Sequence, residues 1–259
     1  MKQLKGRVAV VTGAASGIGL AMARRFAADG MKLVMADIET GPLARALAEI
    51  QAAGAQAIAH PVDVMAEDQV NALADAAFGH FGAVHVLCNN AGVAAPALRT
   101  RAWESTIADW QWILNVNLMG VLYGVRAFVP RMLAGGDEGH IVNTASVAGL
   151  LTGANPYHVS KHGVSCLTEG LYKDLKLMGS RVSASVLCPG LIRTGILEAE
   201  TRAPISFRSL YRPSVRQDTP CLETWYGLAP VSRPATDAVL TMCPSSPPAS
   251  MRGTNARTP

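Results

Sequence analysis

Short runs of β-branched and aliphatic residues alternate along the chain with longer segments whose apolar positions recur every three or four residues. The runs RVAVVT (7–12), KLVMAD (32–37), QAIAHPVDV (56–64), VHVLCNN (84–90), HIVNTAS (140–146) and RVSASVLCPG (181–190) read as strands. Most are near-continuous rather than alternating, as expected of strands covered on both faces. Segments of helical period separate them, at 17–30, 41–54, 66–82, about 103–134 and 156–178. Two carry end signals. Pro42 stands near the start of the second and Gly54 just past its end, while Asn155 and Pro156 open the last as N-cap and first helical residue. Strands alternating with helices predict a parallel sheet covered on both faces, and right-handed crossovers make it doubly wound, with ligands at the carboxyl ends of the strands.

The pattern stops near residue 200. Nine of the 15 prolines lie beyond that point, but only two of the 24 glycines and none of the six lysines. The expected organisation is therefore one catalytic domain, 1–198, and an atypical Pro/Ser/Arg-rich tail, 199–259, in which disorder is expected. At 49% hydrophobic and 16% charged residues, the chain can bury a substantial core. Its net charge of +4 arises entirely after residue 200, because 16 basic and 16 acidic residues precede it. The body thus lacks the basic stripe of a nucleic-acid binder. Five scattered cysteines without CxxC spacing fit reduced thiols better than a disulfide framework. The N-terminus lacks the pattern of a signal peptide, and no uninterrupted apolar run of about 18 residues stands out. These readings predict a cytoplasmic protein that spans no membrane.

Candidate chemistry enters at two places. VVTGAASGIG puts Gly13, Gly17 and Gly19 between the first strand and first helix. Glycine there lets backbone amides approach a pyrophosphate at the positive end of a helix, although tight strand–helix turns use glycine anyway. Asp37 ends the second strand, eighteen residues past Gly19. It could accept from both adenosine ribose hydroxyls and repel a 2′-phosphate, favouring NAD over NADP, or it could simply cap a helix. The second place is NPYHVSK (155–161), where Tyr157 and Lys161 stand i and i+4 on one helix face. A phenol ordinarily titrates near about 10, and a neighbouring ammonium together with the positive helix end would lower that value. An isolated Tyr-Lys pair is also a common surface feature. His158 and His162 share a metal-like spacing, but no third ligand is evident, so no metal is expected.

The combination TGAASGIG (12–19), Asp63, NNAG (89–92), NVN (115–117), Ser146, YHVSK (157–161) and PGLIRT (189–194) resembles the short-chain dehydrogenase/reductase family, in its single-domain branch. The resemblance covers about residues 4–197. It implies a Rossmann-type three-layer αβα fold and an oxidoreductase that moves a hydride between NAD(H) and a secondary alcohol or ketone. Tyr157 would be the general acid/base, and Lys161 would hold the nicotinamide ribose. Ser146 would bond the substrate oxygen, and Asn117 would hold a water linking Lys161 to solvent. Ser16 and Ile18 would join the glycines around the cofactor, and Asp63 and Val64 would contact adenine. Asn90, Ala91 and Gly92 would line the cleft, with Pro189, Ile192 and Thr194 near the carboxamide. A homo-oligomer, dimer or tetramer, built on the two long helices is implied as well. Read alone, Ser146 could merely end a strand and Asn117 could be a polar spot in a helix.

Two departures from that family stand out. Ser146 and Tyr157 are 11 positions apart, a shorter loop than the family commonly has. The covering helices and last strand that usually follow PGLIRT are not recognisable in 200–259, so the sheet is expected to lack that strand. A C-terminus that is not ancestral, as after a shifted reading frame, would produce this change. The alternative to an active dehydrogenase is a nucleotide-binding relative with impaired or absent catalysis.

Overall fold

The computed structural model describes residues 3–94, 101–190 and 192. Among the described residues, six parallel strands form one sheet in the order β3-β2-β1-β4-β5-β6: β1 Val8–Thr12, β2 Lys32–Asp37, β3 Ala57–Pro61, β4 Val86–Asn89, β5 Gly139–Thr144 and β6 Val182–Leu187. The order reverses between β1 and β4, which opens a crevice above their carboxyl ends, the place where doubly wound sheets bind ligands. The Rossmann-type α/β fold is therefore the one present. Both the tail 199–259 and the expected loss of a last strand lie outside the described residues.

Side chains alternate between two covered faces along each strand, which explains why continuous apolar runs were needed. Val8 and Val10 of β1 point into a core shared with Val34 and Ala36 of β2 and with helices α3 (Glu67–Phe81) and α5 (Gly120–Gly135). Ala9 and Val11 point to the opposite face, against Met22 of α1 (Gly17–Ala28) and Leu43 and Ile50 of α2 (Thr40–Ala52). All five β1 residues are buried. Each large aliphatic side chain so enclosed contributes roughly 1.5–3 kcal/mol relative to exposure.

The long helix read at 103–134 differs from the expectation in two respects. It begins at Ile107, because Thr106 and Asp109 form a reciprocal capping box: Asp109 N donates to Thr106 Oγ1 (3.1 Å) and Thr106 N donates to Asp109 Oδ2 (3.2 Å). It also comprises α4 (Ile107–Leu114), a π-turn at Asn115–Met119 and α5. Taken together, 107–135 is long and apolar enough by composition to cross a membrane, with half of its most apolar window buried inside the fold. Here it packs on α3 and on α6 (Pro156–Leu177).

At the far end of the sheet, two imidazoles are enclosed. His85 Nδ1 accepts from Val8 N–H (3.1 Å), and His140 Nε2 lies 2.8 Å from Ser185 Oγ. Burial pushes both below the ordinary imidazole value; for His85, Arg7 adds to this and Asp137 opposes it. Above the unfolded value both states are neutral. As pH falls through it, only the unfolded chain takes up the proton, so stability declines. The urea midpoint is expected to drop between about pH 7.5 and 5.5, and the drop should shrink in His85→Asn, which keeps an acceptor for Val8. An undiminished drop in that variant would remove His85 from the account.

Candidate active site

The crevice is assembled from strand ends. Thr12, the last residue of β1, accepts at its hydroxyl from Asn90 N–H (3.0 Å) and Ala91 N–H (3.1 Å) and donates to the Cys88 carbonyl (3.4 Å). Asn90 Nδ2 returns a bond to the Thr12 carbonyl (3.1 Å). β1 and the segment after β4 are thus joined just beneath the glycine turn. Gly13 adopts φ +66° and Gly17 φ +53°, where side chains are strained. A Cβ on Gly19 would overlap the Gly13 carbonyl oxygen. Ser16, the N-cap of α1, makes no side-chain capping bond, and no acidic residue occupies the first turn. The helix therefore keeps its positive end available for an anion. Ile18 packs against the core face shared by α1 and α2. Asp37 stands beside the turn, its Oδ2 accepting from Ala15 N–H (3.0 Å) and its Oδ1 from Glu39 N–H (3.0 Å). These residues fit a dinucleotide with a negatively charged pyrophosphate.

Asp63 shapes the turn after β3, where its Oδ1 accepts from Met65 N–H (2.9 Å). Val64 beside it is buried against Gly120 of α5, so its side chain is a packing element as well as a candidate adenine neighbour.

On α6, Asn155 caps the helix by accepting from His158 N–H (3.0 Å), and Pro156 follows at the first position. Tyr157 is half-buried at the helix start. Lys161, one turn later, is buried, and its Nζ donates to the Thr144 carbonyl at the end of β5 (2.9 Å). The ammonium lies 5.8 Å from the centre of the Tyr157 ring. Burial pushes the Lys161 amine down to about 8, with Cys188 acting weakly against it. Thr144 Oγ1 in turn donates to Asn90 Oδ1 (3.3 Å), so the lysine anchor and the glycine-turn anchor share one network.

Asn117 sits in the π-turn and is fully buried. Its Oδ1 accepts from Val93 N–H (2.8 Å), and its Nδ2 donates to the Val93 carbonyl (2.8 Å) and to Ser160 Oγ (3.1 Å). Single π-turns inside helices are found disproportionately at functional sites. A Cβ on Gly92 would stand 3.2 Å from Asn117 Oδ1 and 3.3 Å from Lys161 Nζ, so the two side chains converge on the same glycine. Ser146 lies just past β5 rather than in it, capping the short 3₁₀ turn Val147–Gly149 with its Oγ accepting from Ala148 N–H (3.1 Å). Val147 N–H bonds the Pro189 carbonyl (2.9 Å), and Gly149 packs directly on the Lys161 carbonyl. The turn that carries Ser146 is therefore seated on α6 and on the segment after β6.

The structure brings Gly13, Gly19, Asn90 and Ala91 together, brings Gly92, Asn117, Tyr157 and Lys161 together, and links the two groups through Thr144. Ile192 is half-buried, and Thr194 lies outside the described residues. His162 Nδ1 bonds the His158 carbonyl, and no cluster of three metal-ligating side chains occurs among the described residues. Cys88 is a core residue whose thiol burial pushes up to about 12. Sequence reasoning assigned nothing to Thr12, Thr144 or Ser160. Thr12 was visible directly before Gly13. Thr144 contributes to Lys161 through a backbone oxygen, which no residue pattern signals.

Comparison with known proteins gives a consistent picture. The profile of the short chain dehydrogenase family matches residues 7–204. A 1-deoxy-11-beta-hydroxypentalenate dehydrogenase of Streptomyces exfoliatus is 42% identical over 200 residues, 76% of this chain and 72% of that protein. A C alpha-dehydrogenase of Sphingobium sp. is 36% identical over 212 residues, 80% of this chain and 67% of that protein. Among solved structures, a short chain dehydrogenase/reductase from Burkholderia phymatum in complex with NAD is 46% identical, with a TM-score of 0.77 over 92% of this chain and 85% of that one.

Proposed function

The chain belongs to the short-chain dehydrogenase/reductase family, and from that premise we propose that it oxidises a secondary alcohol, or reduces the matching ketone, with NAD(H) as hydride partner and Tyr157 as general acid/base. The observation that carries the reading is the buried Lys161 ammonium beside the Tyr157 ring at the carboxyl ends of β4 and β5. The names of the relatives, both dehydrogenases and one of a hydroxylated substrate, support a carbinol as the reacting group.

When bound, the nicotinamide supplies the hydride chemistry. The protein's part is to position and to move a proton. The Gly13–Gly19 turn and the α1 end hold the pyrophosphate, and Asp37 takes the adenosine ribose hydroxyls. Tyr157 removes the alcohol proton as carbinol oxidation proceeds, or donates it to the developing alkoxide in reduction. Lys161, whose amine is still largely protonated at neutrality at about 8, stabilises the phenolate form. Its proton traffic runs past Asn117. Ser146 bonds the substrate oxygen. Association through helix 107–135 and α6 belongs to the same reading, since Ile107 and Trp112 present apolar surface to solvent there.

The test is absorbance of NADH with a panel of secondary alcohols and ketones of graded size. Hydride transfer from at least one alcohol to NAD+, or from NADH to at least one ketone, is expected; tight NADH binding without turnover across the panel would replace this reading with nucleotide binding alone. Cofactor choice has its own test. Asp37→Ala is expected to weaken NAD roughly tenfold and to narrow the preference over NADP by at least as much, because the ribose acceptors and the repulsion of a 2′-phosphate go together. Equal ratios of kcat/KM for the two cofactors in parent and variant would remove Asp37 from that role.

A further inference from the structure

Ser160 lies between the two residues to which the proposed chemistry is assigned, and its hydroxyl is fully buried. Buried helical hydroxyls commonly return their proton to a carbonyl one turn back. Ser165 and Thr168 of α6 do so, to the Lys161 and Val164 carbonyls four residues earlier. Ser160 behaves differently in two respects. Its Oγ donates three residues back, to the carbonyl of Tyr157 itself (2.7 Å). The same oxygen accepts from Nδ2 of Asn117 (3.1 Å), across 43 positions of sequence and from another helix.

The two bonds to Val93 settle the orientation of Asn117, and the bond to Ser160 takes its remaining amide hydrogen. One amide hydrogen goes to the Val93 carbonyl, the other to Ser160, and the amide oxygen takes Val93 N–H. A flipped amide would set oxygen against oxygen at Val93 and N–H against N–H, so the rotamer has one satisfied state. The chain of bonds then runs from Val93 beside the crevice, through the π-turn, to the backbone of the turn bearing Tyr157. Removing the hydroxyl leaves one buried amide hydrogen without its partner and cuts that chain at its centre.

We infer that Ser160 is a positioning residue, whose hydroxyl fastens the first turn of α6 to the Asn117 amide and so holds Tyr157 in register with Lys161 and the crevice. The inference rests on the proposed acid/base role of Tyr157 and adds a residue that touches neither substrate nor cofactor. A displacement on the order of an ångström at a reacting group can lower a rate by up to about a hundredfold, so the effect should appear in kcat and not in cofactor affinity.

The experiment compares Ser160→Ala and Ser160→Thr with the parent in the full-length chain. NADH affinity is followed by fluorescence, kcat and its pH profile by hydride transfer, and the Tyr157 phenol by NMR of 13Cζ-tyrosine-labelled protein, assigned with Tyr157→Phe. Ser160→Ala is expected to bind NADH within about twofold of the parent, to lose kcat about tenfold or more, and to displace both the pH profile and the Tyr157 titration. Ser160→Thr, which keeps a hydroxyl able to bond back along the helix, should recover most of each. Parent-like kcat and titration in Ser160→Ala would overturn the assignment, as would equal losses in two folded, NADH-binding variants. If the parent binds NADH but oxidises no alcohol, the functional reading fails, while the tyrosine titration, which needs no turnover, still decides the role of Ser160.

Discussion

Tyr157→Phe is expected to bind NADH as tightly as the parent and to turn over about a thousandfold more slowly, a loss within the range of positioned acid/base groups. A thousandfold corresponds to about 4 kcal/mol of barrier. The substitution removes one oxygen and keeps the ring, so α6 retains its N-cap at Asn155 and its packing. If the phenol moves the proton, kcat and kcat/KM should fall together, because the lost interaction exists only while the bond to hydrogen is changing. If it merely shaped the pocket, KM would rise and kcat would hold. A variant with parent-like turnover removes the proposed acid/base outright, whatever its affinity for cofactor.

The extent to which this site could be read from sequence varies with the physical cause of each feature. β1 was legible because hydrophobicity, β-propensity and double-sided burial all favour the same five residues, Val8–Thr12. The glycine turn was legible for a steric reason, since Gly19 has no room for a Cβ against Gly13. The start of α4 was read four residues too early. Trp103 stands exposed before the helix, and the reciprocal Thr106–Asp109 cap fixes the boundary. The π-turn at Asn115–Met119 was not legible because its one extra residue only shifts the phase of the apolar stripe, which in a helix apolar on several sides cannot be told from ordinary irregularity. Ser146 was read at a strand end and instead caps the following 3₁₀ turn, a distinction set by the Ala148 amide rather than by serine itself. Spacing alone placed Tyr157 and Lys161 on one face. It could not show that the amine would be buried, or that Thr144 and Gly92 would close around it.

That burial leads to an expectation of opposite sign for activity and stability at Lys161. Lys161→Met keeps an unbranched chain of similar length and removes the charge. In the parent, the amine falls from an ordinary 10.5 to about 8 on folding, with desolvation the main cause. A shift of that size weakens the fold by about 3 kcal/mol at neutral pH. Methionine would remove this penalty but leave the Thr144 carbonyl without its donor, which costs about 1 kcal/mol. The variant without cofactor should therefore be more stable at pH 7 by about 2 kcal/mol, or roughly 4–8 °C in melting temperature. The sign can be checked through pH. For a base with a depressed folded value, the penalty is complete below about 8 and is relieved between 8 and 10.5, where the folded chain is already neutral and the unfolded chain still holds its proton. Parent and variant should thus converge as pH rises through that window. Over the same comparison the variant should lose turnover by about a thousandfold and weaken NADH, since the phenol has lost its cation and the ribose its donor. Thermal melts from pH 7 to 10, paired with steady-state kinetics, give both readings. A variant that is less stable than the parent at pH 7, or a gap that widens with pH, would mean that the amine is better solvated than its enclosure by Thr144, Asn117 and Gly92 implies.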